Sequence, residues 1–95
     1  MSAYEQFKKL GYKRKQNNKY CIEYLKIEDT SWGNTKSELY RYVTFYKQSK
    51  IYVDLKAISY VINIENKQVH DLRSFDVDDE LLNAINEQFE ELKRK

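Results

Sequence analysis

Apolar residues recur at two periods along this chain, and the switch between them lays out its elements. Near the start, Ala3, Tyr4, Phe7 and Leu10 fall at helical spacing. Ser2 stands three residues before Glu5, the spacing of a capping box. Gly11 follows Leu10, where a left-handed residue commonly closes a helix. The pattern predicts a short helix over residues 3–10, with Tyr12 packing back against it. At the other end, Leu81, Leu82, Ile85, Phe89 and Leu92 repeat at the same period. Asp76, Asp78, Asp79 and Glu80 crowd the start of that run, at the positive end of a helix dipole. A longer helix over residues 76–92 is predicted, with Asp78 as its cap and Val77 and Leu82 as a hydrophobic staple.

Between these ends the period is two. Residues 13–18 are wholly polar and read as a turn, for which Asn17 and Asn18 are suited. In a strand over 19–27, Tyr20, Ile22 and Tyr24 share one face, and Cys21, Glu23, Leu25 and Ile27 the other. Apolar residues on both faces imply partial cover on both. A polar loop over 28–37 holds Trp32 and Gly33. Over 39–46, Leu39, Val43 and Phe45 lie with Arg41, opposite Tyr40, Tyr42, Thr44 and Tyr46. Over 51–55, Ile51, Val53 and Leu55 oppose Tyr52 and Asp54. These two strands are expected to form a hairpin with Phe45 opposite Ile51, Val43 opposite Val53, and a loop at Lys47-Gln48-Ser49. The parity then changes, because Ile58, Tyr60, Ile62 and Ile64 are even-numbered. Lys56-Ala57 lacks the Asn or Gly of a tight hairpin, so a bulge or bend there is preferred to a turn. A turn at 65–68 and a short edge strand over 69–75 complete the pattern. The chain is therefore expected to be one α+β domain over residues 1–95. Its antiparallel, meander-like sheet of three to five strands is flanked by a short N-terminal helix and a longer C-terminal one.

Composition narrows the function classes. The 95 residues carry a net charge of +2, too small to imply nucleic-acid or membrane binding by itself. One cysteine excludes an internal disulfide. No apolar run approaches the roughly 20 residues of a membrane helix. Glu5, Gln6, Lys8 and Lys9 interrupt any signal-peptide core, so a cytoplasmic location is expected. With no proline and only two glycines, neither a flexible linker nor a glycine-rich phosphate loop is available.

Candidate chemistry is sparse. His70, the one histidine, sits beside Asp71 with no serine or cysteine placed as a nucleophile, and reads as an edge-strand residue. Cys21 lies within a strand pattern without a neighbouring base, which favours a structural thiol. The carboxylates at 76–80 lack the glycine-centred spacing of a calcium loop, and the helix dipole already accounts for them. No metal and no cofactor are expected. Lys13, Arg14 and Lys15, with Lys8, Lys9 and Lys19, form the one basic cluster; with Tyr12 and Tyr20 it is a candidate grip for phosphates and a stacked base. No nucleic-acid motif accompanies it. Trp32, in its polar loop, is a candidate binding residue. So are Tyr42, Tyr46 and Tyr52 on one sheet face, where tyrosine supplies apolar area and a hydroxyl at low entropic cost.

The two ends carry a resemblance. Tyr4-Glu5-x-Phe7-x-x-Leu10-Gly11-Tyr12 and Leu81-Leu82-x-Ala84-Ile85-Asn86-x-Gln88-x-x-Glu91-Leu92 resemble the opening and ending of small uncharacterised proteins encoded by phages and prophages of low-GC Gram-positive bacteria. Those proteins similarly carry a tyrosine-rich strand, a polar gap and a hairpin between. This chain departs from them in a longer strand region over residues 56–71. The resemblance implies a phage or mobile-element setting and a bacterial cytoplasm, and no activity. The expectation is a non-enzymatic accessory protein that works by protein–protein contact, with a protein partner or as a homodimer. The alternative is a nucleic-acid-binding regulator using Lys13, Arg14 and Lys15.

Overall fold

The computed structural model describes residues 2–31, 33, 36–47, 53–63, 69–74 and 77–93; in the fourth and fifth strands it describes the backbone and Leu55. The chain is α+β. Its elements are α1 (Ala3–Lys9), β1 (Lys13–Asn17), β2 (Cys21–Asp29), β3 (Ser37–Lys47), β4 (Val53–Asn63), β5 (Val69–Ser74) and α2 (Asp79–Lys93). The five strands form one antiparallel meander in sequence order, with β1 and β5 at its edges.

Local chemistry fixes both ends of α1. The Ser2 hydroxyl accepts from the Glu5 amide at 3.2 Å and donates to the Glu5 carboxylate at 3.1 Å. At the far end, Gly11 takes φ +92°, Gly11 N–H bonds the Lys8 carbonyl and Tyr12 N–H bonds the Phe7 carbonyl. This is the Schellman arrangement, completed by Tyr12 packing edge-on to Phe7 at 5.7 Å. Asp78 caps α2, its Oδ1 accepting from Leu81 N–H at 2.8 Å.

Both helices lie on one face of the sheet. There Phe7, Tyr12, Ile22, Tyr24, Val43, Phe45, Leu81, Ala84 and Ile85 form a buried cluster, with Leu10, Leu55, Phe89 and Leu92 packed around it. Aromatic rings dominate it: Phe7 stacks on Tyr24 at 3.9 Å, and Phe45 meets Phe89 edge-on at 5.3 Å. Such pairs add about 0.5–1.5 kcal/mol each beyond their buried area. Two residues of the predicted helical stripes lie outside this core. Tyr4 is exposed, with Arg14 Cζ 4.5 Å above its ring centroid, and Leu82 is 46% exposed on the outer side of α2.

Three expectations from the sequence are corrected. Residues 13–17 are not a turn but the edge strand β1, exposed throughout and therefore without alternation to reveal it. The turn lies just beyond, where Asn18 Oδ1 accepts from the amides of Tyr20 and Cys21. The β3–β4 register pairs Phe45 with Leu55 and Val43 with Ala57, four residues from the predicted pairing with Ile51 and Val53. An even slip leaves every side chain on its own face, so alternation could not detect it. Pairing runs to Lys47 opposite Val53; Gln48 and Ser49 of the expected loop lie outside the described residues. Finally, Lys56 and Ala57 form neither bulge nor turn: the ladder is unbroken from Ser37–Asn63 to Lys47–Val53. The change of parity occurs inside one continuous strand. The turn at 65–68 also lies outside the described residues.

Candidate functional site

The described side chains of the face turned away from the helices lie on three adjacent strands, β1, β2 and β3. On β2 it carries Cys21, Glu23, Leu25 and Ile27; on β3, Tyr46, Thr44, Tyr42 and Tyr40. The register sets these in rows: Cys21 beside Tyr46, Glu23 beside Thr44, Leu25 beside Tyr42, and Ile27 beside Tyr40. On the β1 side, Lys13 stands opposite Leu25 and Gln16 opposite Glu23. The result is a graded surface. Its first rows are polar and internally bonded: Thr44 Oγ1 donates to Glu23 Oε2 at 3.2 Å, and Gln16 Nε2 reaches Glu23 Oε1 at 3.5 Å. Its next rows are apolar, with Leu25 at the floor, Ile27 47% exposed, and the Tyr40 and Tyr42 rings tilted against each other at 6.5 Å. Tyr46 stands at the near end, 37% exposed.

A cleft of about 200 Å³ opens at the β1 margin of this face, lined by Gly11, Lys13, Lys15, Leu25 and Ile27. Its floor is aliphatic and its rim carries two ammonium groups. Neither Lys13 nor Lys15 forms an ion pair among the described residues.

The helix-facing side ends differently. Beyond the aromatic core, the row after Tyr24 and Val43 is Lys26 beside Arg41. Glu28 binds both cations, Lys26 Nζ at 3.2 Å and Arg41 at 3.8 Å. Tyr12 closes the core against them. Burial raises its phenol above the ordinary value; Glu28 and Asp78 add to the rise, while Arg41 opposes it. Deeper in, burial pushes Tyr24 up to about 12, with Arg14 partly offsetting it. The Tyr24 hydroxyl donates to Gln88 Oε1 at 2.6 Å, which satisfies the buried amide oxygen. These tyrosines are neutral structural groups.

The structure places the sequence candidates as follows. Tyr42 and Tyr46 share the outer face, as alternation required. Trp32 and Tyr52 lie outside the described residues. Lys13, Arg14 and Lys15 do not converge: Arg14 pairs with Tyr24 in the register and lies over Tyr4, whereas Lys13 and Lys15 line the outer cleft. His70 belongs to β5, with Val61 as its register partner. Cys21 is buried, its thiol 3.5 Å from Gln16 Oε1. Among the described residues, no three His, Cys, Asp or Glu side chains are grouped to hold a metal ion. No described helix is long and apolar enough to cross a membrane.

Leu25, Ile27 and Tyr40 were not singled out from the sequence as binding residues. The signal was present in the apolar second face of β2, but it needed the β2–β3 register to place those residues beside the tyrosines. No family model, curated protein or solved structure matches this chain.

Proposed function

We propose that this protein acts without catalysis, by protein–protein contact through the outer sheet face that carries Ile27, Tyr40, Tyr42 and Tyr46 around the buried Leu25. One observation carries the reading: both helices pack on the opposite face, leaving aliphatic and tyrosine side chains in contiguous rows on this one. Tyrosine with aliphatic neighbours is the composition of contact surfaces, where the ring buries area and the hydroxyl keeps a polar partner. The proposed phage or prophage setting, and with it a bacterial cytoplasm, rests on the resemblance of the chain's two ends to that family.

The test is affinity capture from a bacterial lysate with the wild-type protein and a Tyr42→Ser/Tyr46→Ser double variant. Thermal melts establish that both are folded. The wild type is expected to retain a protein that the variant does not. An identical captured set from two folded baits excludes this face.

A further inference from the structure

The cleft at β1 joins three features that have no common structural purpose. The first is an open strand edge: among the described residues, β1 pairs with β2 alone. A bulge at Lys15 interrupts its register with β2, and on either side of it the outer backbone groups face no other described strand. The second is the aliphatic floor of Leu25 and Ile27 beside that edge. The third is the pair of lysines on the rim. Other cations nearby are committed: Lys26 and Arg41 to Glu28, Arg14 over Tyr4, Lys19 over Tyr20, and Lys47 to the Asn18 carbonyl. Among the described residues Lys13 and Lys15 have no such acceptor, and they flank the apolar floor.

We propose that this cleft binds an acidic, extended segment of a partner protein, laid along β1 with one apolar side chain seated over Leu25 and Ile27. The segment's carboxylates meet Lys13 and Lys15. The proposal rests on the protein-contact reading above and specifies its partner chemistry. Size supports a peptide: about 200 Å³ takes a single side chain and falls short of the ~300 Å³ at which small-molecule pockets begin. Charge opposes a second copy in β1-to-β1 pairing, because Lys13, Arg14 and Lys15 would lie beside the same cations of the other copy. The acidic residues of this chain's own α2 are held in a helix and offer no extended strand. The lysines thus do two things at one edge. They repel like strands, as charges on sheet edges do, and they select an acidic one.

The experiment is fluorescence anisotropy with a labelled extended peptide that carries a phenylalanine between two glutamates on one face, Glu-Thr-Phe-Thr-Glu. Its lysine-for-glutamate counterpart and a short oligothymidylate serve as competitor ligands. The wild type is expected to bind the glutamate peptide, more weakly as salt rises, and to ignore the lysine peptide. Lys13→Glu/Lys15→Glu is expected to weaken binding by about tenfold or more. Lys8→Glu/Lys9→Glu, which alters net charge equally on exposed α1 positions, is expected to bind as the wild type does. Equal loss in the two charge variants, equal affinity for both peptides, or preference for the oligonucleotide overturns the proposal. If the peptide fails to bind while Tyr42→Ser/Tyr46→Ser still loses its captured protein, the acidic-segment proposal falls and the protein-contact reading stands.

Discussion

Tyr24 shows how single residues hold this structure. Its ring stacks on Phe7, and its hydroxyl meets Gln88, itself almost fully buried. Removing that hydroxyl strands a buried acceptor, which costs about 1–3 kcal/mol. Tyr24→Phe is therefore expected to destabilise the protein at neutral pH by that amount in urea unfolding. The same residue gives a signature at high pH. Its phenol titrates at about 12 in the folded protein and at 10.0 when unperturbed. The folded state holds the neutral form, so Tyr24 contributes its full stabilisation below pH 10, and loses it as pH rises toward 12. The gap in stability between wild type and Tyr24→Phe should narrow over that window. A gap that stays constant from pH 9 to 12 contradicts the buried neutral phenol.

At the scale of elements, what could be read from the sequence was what is decided locally. Both helices were legible because their caps and stripes lie within one or two turns: Ser2 with Glu5, Gly11 after Leu10, Asp78 before Leu81. Gly11 is the sharpest case. Its φ of +92° strains any L side chain, and an added Cβ would lie 3.2 Å from Lys26 Cε. Gly11→Ala is expected to cost about 1 kcal/mol or more, read as a lowered thermal midpoint. Unchanged stability would mean that the Schellman closure of α1 contributes nothing. The strands were legible in face but not in partner. Period two assigned Tyr42 and Tyr46 to one side and Val43 and Phe45 to the other, and a four-residue slip preserves both assignments. β1 escaped because every residue in it is exposed, leaving no alternation to see. The uninterrupted β4 escaped because its apolar residues change parity partway, which looks like a bulge when one strand is considered without its ladder.

For the whole molecule, length explains the uncovered surface. The protein measures 49 × 24 × 20 Å. Eleven residues of strand in β3 reach about 36 Å, while the fifteen of α2 reach about 22 Å. The helices therefore cover part of one face, from Phe45 to the Tyr12–Arg41 boundary, and none of the other. On the covered side the sequence answers with charge where the helices stop, setting Lys26, Glu28 and Arg41 just past the core. On the outer side charge comes later: Leu25, Ile27, Tyr40 and Tyr42 continue as an apolar and aromatic patch up to the Asp29–Glu38 row. That asymmetry is the basis for assigning the outer face to a partner. Its functional weight was only half visible in the sequence, since the tyrosines stood out at once but the aliphatic floor and the cleft needed the β1–β2–β3 register to appear. The most direct measurement is site-specific photocrosslinking in a bacterial lysate, with a benzophenone amino acid placed at Ile27, at Tyr46 or at Leu82. The three positions are similarly exposed, at 47%, 37% and 46%. A discrete protein adduct is expected from Ile27 and Tyr46 and none from Leu82 on α2. An adduct from Leu82 alone would place the contact on the helical side and contradict the account.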